Sequence, residues 1–333
     1  MKNPLVIYHK DCPDGFGAAF ALWLKLDDFD TADFVAMPFM HADTTIEQFG
    51  EALQKASGKS HLPFVGRDIC VLDYTPPNLA ILERMIDGAN LFTWLDHHDT
   101  SFKLALDAQF IIPEFAGRSR ASFVSPSKRI LLDKDKSGAI LAWEHFRPGV
   151  KVPSFFALLD DYDRWERRFH YSSCLNASLM LNCGKWTFDD WLEYDTWDHP
   201  RTTSYSDEVY RLLDEGAAVI RSNAALIGNA VDLSVPIFIP MPGAGPAEGV
   251  AANCPYTLRN EVADRITDCA EVDYAACWQY QFGQVKVSLR SRPGFDVSKI
   301  AKAFGGGGHQ TAASFTVSAL KFMEWMAPRG DAS

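Results

Sequence analysis

Over the first hundred residues, short apolar runs alternate with segments whose apolar positions recur every three to four residues. LVIYH, DFVAM, DICVLDYT and LFTWLDHH read as strands, and GAAFALWLKL, IEQFGEALQKA and NLAILERMID read as the helices between them. This alternation predicts βαβ units on a largely parallel sheet, an α/β architecture. From about residue 137 the periodicity becomes helical. Ser137 is placed to cap SGAILAWEHF, PSFFALLDDYDRW follows, and a long helix is predicted over 206–230. Gly and Pro then cluster in IPMPGAGPAEG, the strongest boundary signal in the chain. Beyond it, YAACWQYQFGQVKVSLRS predicts a hairpin turning near Phe282 and Gly283, followed by the helix VSKIAKAF, a glycine run and the strand ASFTVS. The expected division is a first domain over 1–235, with a helical second half at about 137–230, a linker over 236–250, and a smaller α+β domain over 251–328.

Length and composition agree with two lobes. A chain of 333 residues exceeds what one hydrophobic core usually supports, and 47% hydrophobic with 23% charged residues is the profile of a globular protein. No apolar run reaches the roughly 18 to 20 residues that span a bilayer. The start, MKNPLVIYHKDCPDG, meets charge too soon for a signal-peptide core, so the expectation is a cytoplasmic protein with no membrane partner. Seven cysteines, with no CxxC pair, argue against a disulfide framework and a zinc ribbon; most read as small buried apolar residues. The net charge of -11 disfavours an extended groove for long duplex nucleic acid, but not a short phosphorylated ligand held locally. An oligomer is compatible with all of this.

The chemistry-bearing residues recur at strand ends: His9 and Asp11 after the first strand, Asp73 after the third, and Asp96, His97 and His98 after the fourth. In open α/β sheets that edge is where ligands bind. Read singly, each cluster has an ordinary account: HKDCPDG as a strand-to-helix loop with a capping Asp, Asp73 as a turn residue, LLDDYDRW as an acidic helix start. Read together, they supply enough carboxylates and imidazoles for two hard divalent cations sharing one carboxylate. Adjacent His97 and His98 face different directions and are expected to serve different roles.

HKDCPDG, VLDYTP, LDHHD and LDDYDRW, in that order, resemble the four motifs of the DHH phosphoesterase superfamily. SLRSRPGFDVSKIAKAFGGGGHQTAASF resembles its DHH-associated C-terminal domain, so the likeness spans nearly the whole chain. The resemblance implies one metal held by His9, Asp11 and Asp73 and a second held by Asp14, Asp73, His97 and Asp161, with Asp73 bridging. It implies that Asp96 orients a neighbouring histidine and that His98 meets the phosphate or the leaving oxygen. The implied cofactors are two divalent cations, Mn²⁺ first, with Mg²⁺ or Co²⁺ as alternatives, activating a bridging hydroxide. The family's first motif commonly reads HxDxDG, whereas here Cys12 and Pro13 separate Asp11 from Asp14. That insertion leaves the division of labour among His9, Asp11 and Asp14 open, and Asp160 and Asp163 compete with Asp161 in the fourth motif.

In the smaller domain, Lys286, Arg290, Arg292, Lys299 and Lys302 face a single acid, Asp296. By resemblance Arg290, then Arg292, contacts phosphate, the two being expected on opposite faces of their strand unless the chain bends at SRPG. Gly306, Gly307, Gly308 and His309 are implied to hold the substrate's nucleotide or phosphate portion, a helix stop being the alternative. The implied active site lies in the cleft between the domains. The implied activity is phosphodiester hydrolysis of short oligonucleotides, exonuclease-like or nano-RNase-like. The alternatives are a phosphomonoesterase for a 3′,5′-bisphosphate nucleotide, a cyclic-dinucleotide phosphodiesterase, an exopolyphosphatase and a non-catalytic nucleotide-binding protein.

Overall fold

Two sheets organise the chain, one in each of two units, Met1–Val219 and Ile220–Ser333. The computed structural model describes residues 1, 3–26, 31–60, 64–112, 117–194, 206–241, 245–269, 271–308 and 310–326.

The first unit begins with β1 (Leu5–His9), α1 (Pro13–Trp23), β2 (Asp33–Met37), α2 (Ile46–Ser57), β3 (Arg67–Leu72), α3 (Leu79–Gly88), β4 (Ala89–Asp96) and α4 (Asp99–Asp107). It continues with β5 (Arg120–Val124), β6 (Lys128–Asp133), α5 (Gly138–Phe146), α6 (Ser154–Asp163), α7 (His170–Leu181) and α8 (Phe188–Leu192), and α9 (Asp207–Asp232) runs across the division between the units. The sheet order is β2-β1-β3-β4-β6-β5, parallel except at the β5 edge.

Strand alternation explains why both faces are covered. Leu5 and Ile7 of β1 join a core with residues of α2, α3 and α4, while Val6 between them joins a core with residues of α1 and α5 to α9. The connections from β1 leave in opposite directions, to β2 on one side and by way of β2 to β3 on the other. The C-terminal ends of β1 and β3 therefore flank the switch point at which such sheets bind ligands. At the opposite end, buried Arg67 clamps the strand starts. Its Nη1 lies 2.7 Å from Asp33 Oδ2, and its Nε and Nη2 donate to the carbonyls of Asn3 (2.6 Å) and Pro4 (3.0 Å). The β5–β6 hairpin leaves little trace in the sequence, because RILLD is short and follows no helical pattern. Ser137 occupies the N-cap position of α5, but its hydroxyl makes no bond to the helix; the first amides of α5 go to Asp14 instead.

The second unit contains β7 (Val235–Ile239), β8 (Ala247–Asn253), a 3₁₀ turn (Tyr256–Leu258), α10 (Arg259–Cys269), β9 (Tyr274–Gln281), β10 (Gln284–Ser291), α11 (Val297–Ala303), β11 (Gly307–Gly308), β12 (Ala312–Ser318) and α12 (Ala319–Met326). Their sheet order is β11-β12-β10-β9-β8-β7, antiparallel except for β8 beside β9. Phe282 (φ 48°) and Gly283 (φ 84°) turn the β9–β10 hairpin with the positive φ angles that suit strand twist. The segment 236–250 is no linker: Val235 pairs with Ala251 through to Ile239 with Ala247, so the Gly/Pro run connects two strands of this sheet. Val285, Val287 and Leu289 face the core with α11 and α12, whereas Ala275 and Cys277 face the core with α10.

Cys70, Cys174, Cys254 and Cys277 are buried, Cys12 and Cys183 partly so, and Cys269 is exposed. Among the described residues, no helix is long and apolar enough to cross a membrane.

Candidate metal centre

Parallel pairing brings the site together. Tyr8 stands opposite Leu72 and Leu72 opposite Leu95, so His9, Asp73 and Asp96, one position further on, emerge side by side at the C-terminal edge. Asp73 leaves β3 with φ 52°, a turn stopped by Pro76 and Pro77. Its carboxylate is 1% exposed and central, with His97 Nε2 at 3.2 Å from Oδ1, His9 Nδ1 at 3.7 Å from Oδ2 and His98 Nδ1 at 3.8 Å from Oδ1.

Two glycines permit this closeness. A Cβ on Gly15 would stand 2.5 Å from the His9 carbonyl oxygen, and one on Gly138 would stand 2.5 Å from Asp73 Cβ. With Gly138 in place, the N-terminus of α5 reaches Asp14, whose Oδ2 and Oδ1 accept the amides of Gly138 (2.6 Å) and Ala139 (2.9 Å). The positive end of the helix thus faces a buried carboxylate. Asp14 Oδ2 also lies 3.7 Å from His97 Nε2.

Asp96 is completely buried and fully bonded. Its Oδ1 accepts from the His97 amide (2.7 Å), the His98 amide (3.2 Å) and His98 Nδ1 (2.7 Å), and its Oδ2 accepts from the hydroxyls of Ser101 (2.5 Å) and Thr75 (3.4 Å). Such a carboxylate orients histidine.

Among the described residues, three groups bring ligand atoms within 4.8 Å of one another: His9, Cys12 and Asp73; Asp14, His97 and Asp163; and Asp73, Asp96, His97 and His98. Two expected ligands are absent from them. Asp11, at φ 56°, points its half-exposed carboxylate toward Lys10 Nζ at 4.0 Å, and Cys12 stands with His9 and Asp73 instead. Asp161 is buried elsewhere, accepting the amides of Arg168 (2.8 Å) and Phe169 (3.2 Å). Asp163 stands in the cluster instead, with Oδ2 3.3 Å from His97 Nε2. Two helical steps turn a side chain by about 200°, so positions 161 and 163 of α6 cannot share a face. Asp160 is likewise occupied, accepting the Ser137 amide and pairing with Arg164.

Both carboxylate oxygens of Asp73, His97 Nε2 and Asp163 Oδ2 are buried without a hydrogen-bond partner. Buried polar atoms are rarely left so, and these four belong to residues of one cluster. Burial opposes charge on Asp73, yet His9, His97 and His98 hold its carboxyl well below the usual range. Burial also works against a cationic His97, but Asp73, Asp14 and Asp163 push it up to about 11. In the same way Asp96 and Asp73 push His98 up to about 9. Burial together with Asp73 and Asp163 raises Asp14 well above the usual range, and burial raises Asp163 to about 6. Carboxylates crowded this way need compensating positive charge, and a divalent cation supplies it in place of imidazole protons. Carboxylate oxygen and imidazole nitrogen suit Mn²⁺ and its neighbours, so the residues fit such an ion.

In the second unit, Arg290 donates from Nη2 to Asn260 Oδ1 (2.7 Å) and from Nη1 to the Leu289 carbonyl (2.8 Å), while Arg292 lies 3.6 Å from Asp268. Both arginines turn toward α10, not to opposite faces: Arg290 from the strand, on the side away from Leu289, and Arg292 from just beyond its end. Gly307 and Gly308 form β11 against Ser314 and Ala313, and Gly306 packs so closely that a Cβ would stand 2.1 Å from the Ser314 carbonyl. His309 lies outside the described residues.

This is an α/β protein with a candidate carboxylate–histidine metal centre on its first sheet. Residues 258–326 match the DHHA1 domain. A structure of the pGpG-specific phosphodiesterase PggH from Vibrio cholerae is similar, with 14% identity, a TM-score of 0.51, and coverage of 96% of this chain and 95% of that one. The exonuclease RecJ bound to manganese is similar at 16% identity and TM-score 0.50, covering 97% and 88%. An uncharacterized protein of Acanthamoeba polyphaga mimivirus is 23% identical over 337 aligned positions, 95% of this chain and 68% of that protein. The second unit thus carries a match to the DHHA1 domain, and the chain shares its fold with PggH and RecJ.

Proposed function

We propose that the chain is a phosphoesterase dependent on divalent cations, Mn²⁺ foremost, that hydrolyses phosphodiester bonds in short oligonucleotides. The observation that carries this reading is the convergence of unpartnered atoms of Asp73, His97 and Asp163 at the sheet's ligand-binding edge. His9, Asp14, Asp73, His97 and Asp163 would hold the cations, with Asp73 shared and Cys12 beside it. Two cations supply Lewis acidity there, easing deprotonation of the attacking water and neutralising phosphoryl oxygens.

The protein's own groups divide the remaining work. Asp14, anchored on the amides of α5, and Asp73, freed of hydrogen bonds, hold the ligand set in place. Asp96 fixes His98 through Nδ1, so His98 is positioned to bind the phosphate or give a proton to the leaving oxygen as the P–O bond breaks. In the DHHA1 domain, Arg290 and Arg292 are the phosphate contacts of this reading, with Gly306 to Gly308 and His309 beside the nucleotide. PggH is a pGpG-specific phosphodiesterase, which makes a linear dinucleotide the first substrate to try.

The test is Mn²⁺-dependent turnover of pGpG, a short RNA, a 3′,5′-bisphosphate nucleotide and polyphosphate side by side, with Asp73→Ala as control. Conversion of pGpG and RNA to mononucleotides, lost in the variant, supports the reading. Phosphate release from the bisphosphate or polyphosphate alone moves the specificity to those substrates. Silence on all four by folded, metal-loaded protein overturns the catalytic reading.

A further inference from the structure

The loop after Asp163 holds an aromatic ring in the open. Trp165 has φ 57° and Arg167 φ 53°, left-handed values that bulky side chains adopt only where the surroundings impose them. Asp161 imposes them here. Its carbonyl accepts the amides of Glu166 (3.1 Å) and Arg167 (3.4 Å), and its buried carboxylate accepts those of Arg168 (2.8 Å) and Phe169 (3.2 Å). Four successive amides thus converge on one residue of α6.

What the loop displays is a stack. The Arg167 guanidinium lies 4.4 Å from the Tyr162 ring centre and 4.2 Å from that of Trp165, and the two rings are inclined at 28° with centres 6.3 Å apart. Arg167 is pinned by a 2.6 Å hydrogen bond to Ser173 Oγ and pairs with no carboxylate among the described residues. Despite these neighbours, Trp165 stays 57% exposed, two residues along the chain from the Asp163 carboxylate of the metal centre.

A strained loop that keeps a large ring uncovered, two residues along the chain from a carboxylate of the candidate metal centre, offers its face to a flat ligand. We propose that Trp165, backed by Arg167 and Tyr162, is the stacking platform for a nucleobase of the substrate whose phosphoester is held at the Asp73 cluster. This rests on the phosphoesterase reading and narrows it to nucleotides. A base covers the open π-face of the indole, and the guanidinium behind it lies in the field of the ligand's phosphates. Polyphosphate has no flat face and leaves the ring bare. Asp161 is then a positioning residue, acting through the loop.

Titration calorimetry on the Mn²⁺-loaded full chain tests this by comparing adenosine 5′-monophosphate with ribose 5-phosphate. The wild type is expected to prefer the nucleotide by about 10-fold or more. Trp165→Ala brings the ratio to about one without weakening ribose 5-phosphate, and Trp165→Phe keeps most of the preference. Absence of a preference in the wild type, including no measurable nucleotide binding, overturns the proposal, as does a preference that survives Trp165→Ala. Hydrolysis of pGpG is scored separately: preference without hydrolysis keeps the platform and removes only the catalytic reading.

Discussion

His98 Nδ1 stands 2.7 Å from Asp96 Oδ1, the same oxygen that accepts the backbone amides of His97 and His98. One buried carboxylate therefore shapes the chain as it leaves β4 and fixes the tautomer of His98, leaving Nε2 clear of Asp96. Replacing Asp96 by Asn keeps the size but swaps an acceptor for a donor. The expected result is a fall in kcat of about 10- to 100-fold with bound metal unchanged, measured by steady-state kinetics and elemental analysis.

Asp161 and Asp163 should separate cleanly. Asp163→Asn is expected to lower Mn²⁺ affinity and leave metal-free thermal stability equal or higher, since it removes a charge crowded against Asp73 and Asp14. Asp161→Ala frees two amides from their acceptor and lowers stability by about 1–3 kcal/mol, with metal still bound. Calorimetric melting with and without EDTA, alongside metal content, distinguishes them; the opposite pattern would reinstate Asp161 as the ligand.

Cation binding should stabilise the fold. At about 100 times its dissociation constant, Mn²⁺ is expected to add about 2.7 kcal/mol, which chelation removes. In Asp73→Ala the Mn²⁺-induced rise in Tm is expected to vanish. A rise of equal size in that variant would place the ion elsewhere.

Gly138→Ala sets a methyl 2.5 Å from Asp73 Cβ and 2.8 Å from its Oδ1, where no flexible chain end can yield. The expected cost is about 1–3 kcal/mol of stability, with loss of Mn²⁺ affinity as α5 retreats from Asp14. Unchanged urea unfolding and metal titration would contradict this.

Asp33 gives a pH signature away from the metal centre. Although burial opposes its charge, hydrogen bonds and charge from Lys59 and Arg67 hold its carboxyl below the usual range. A depressed folded-state pKa contributes stability that is present above the unfolded value of about 3.9 and is lost as pH falls through the folded value. Asp33→Asn is therefore expected to cost about 1–3 kcal/mol at pH 7 and clearly less near pH 3. Urea midpoints at both values read the difference.

Much of the candidate site is legible in the sequence because His9, Asp73 and Asp96 to His98 each end or directly follow a strand whose periodicity is plain. The choice between Asp161 and Asp163 is not, since a run with acids at 160, 161 and 163 does not reveal the rotational phase of its helix. That Cys12 and not Asp11 stands beside His9 and Asp73 depends on the backbone path of the loop, with Asp11 at φ 56°, which motif spacing does not encode. Likewise the Gly/Pro run in 236–250 reads as a linker, although VPIFI before it is a strand; turn residues between two strands and between two domains look alike. Trp165 escapes sequence reasoning because its exposure follows from the amides gathered by Asp161.

The amides of Gly138 and Ala139 close on Asp14 across 124 and 125 positions of the chain. Loops that long are costly to close and form late unless something rewards them. The carboxylate that would grip the cation is thus presented only once α1 and α5 have docked on the same face of the sheet. Metal uptake would then report on completion of the first unit: a chain with α5 undocked would not present Asp14 in this way, and one that does has closed a loop of 124 residues.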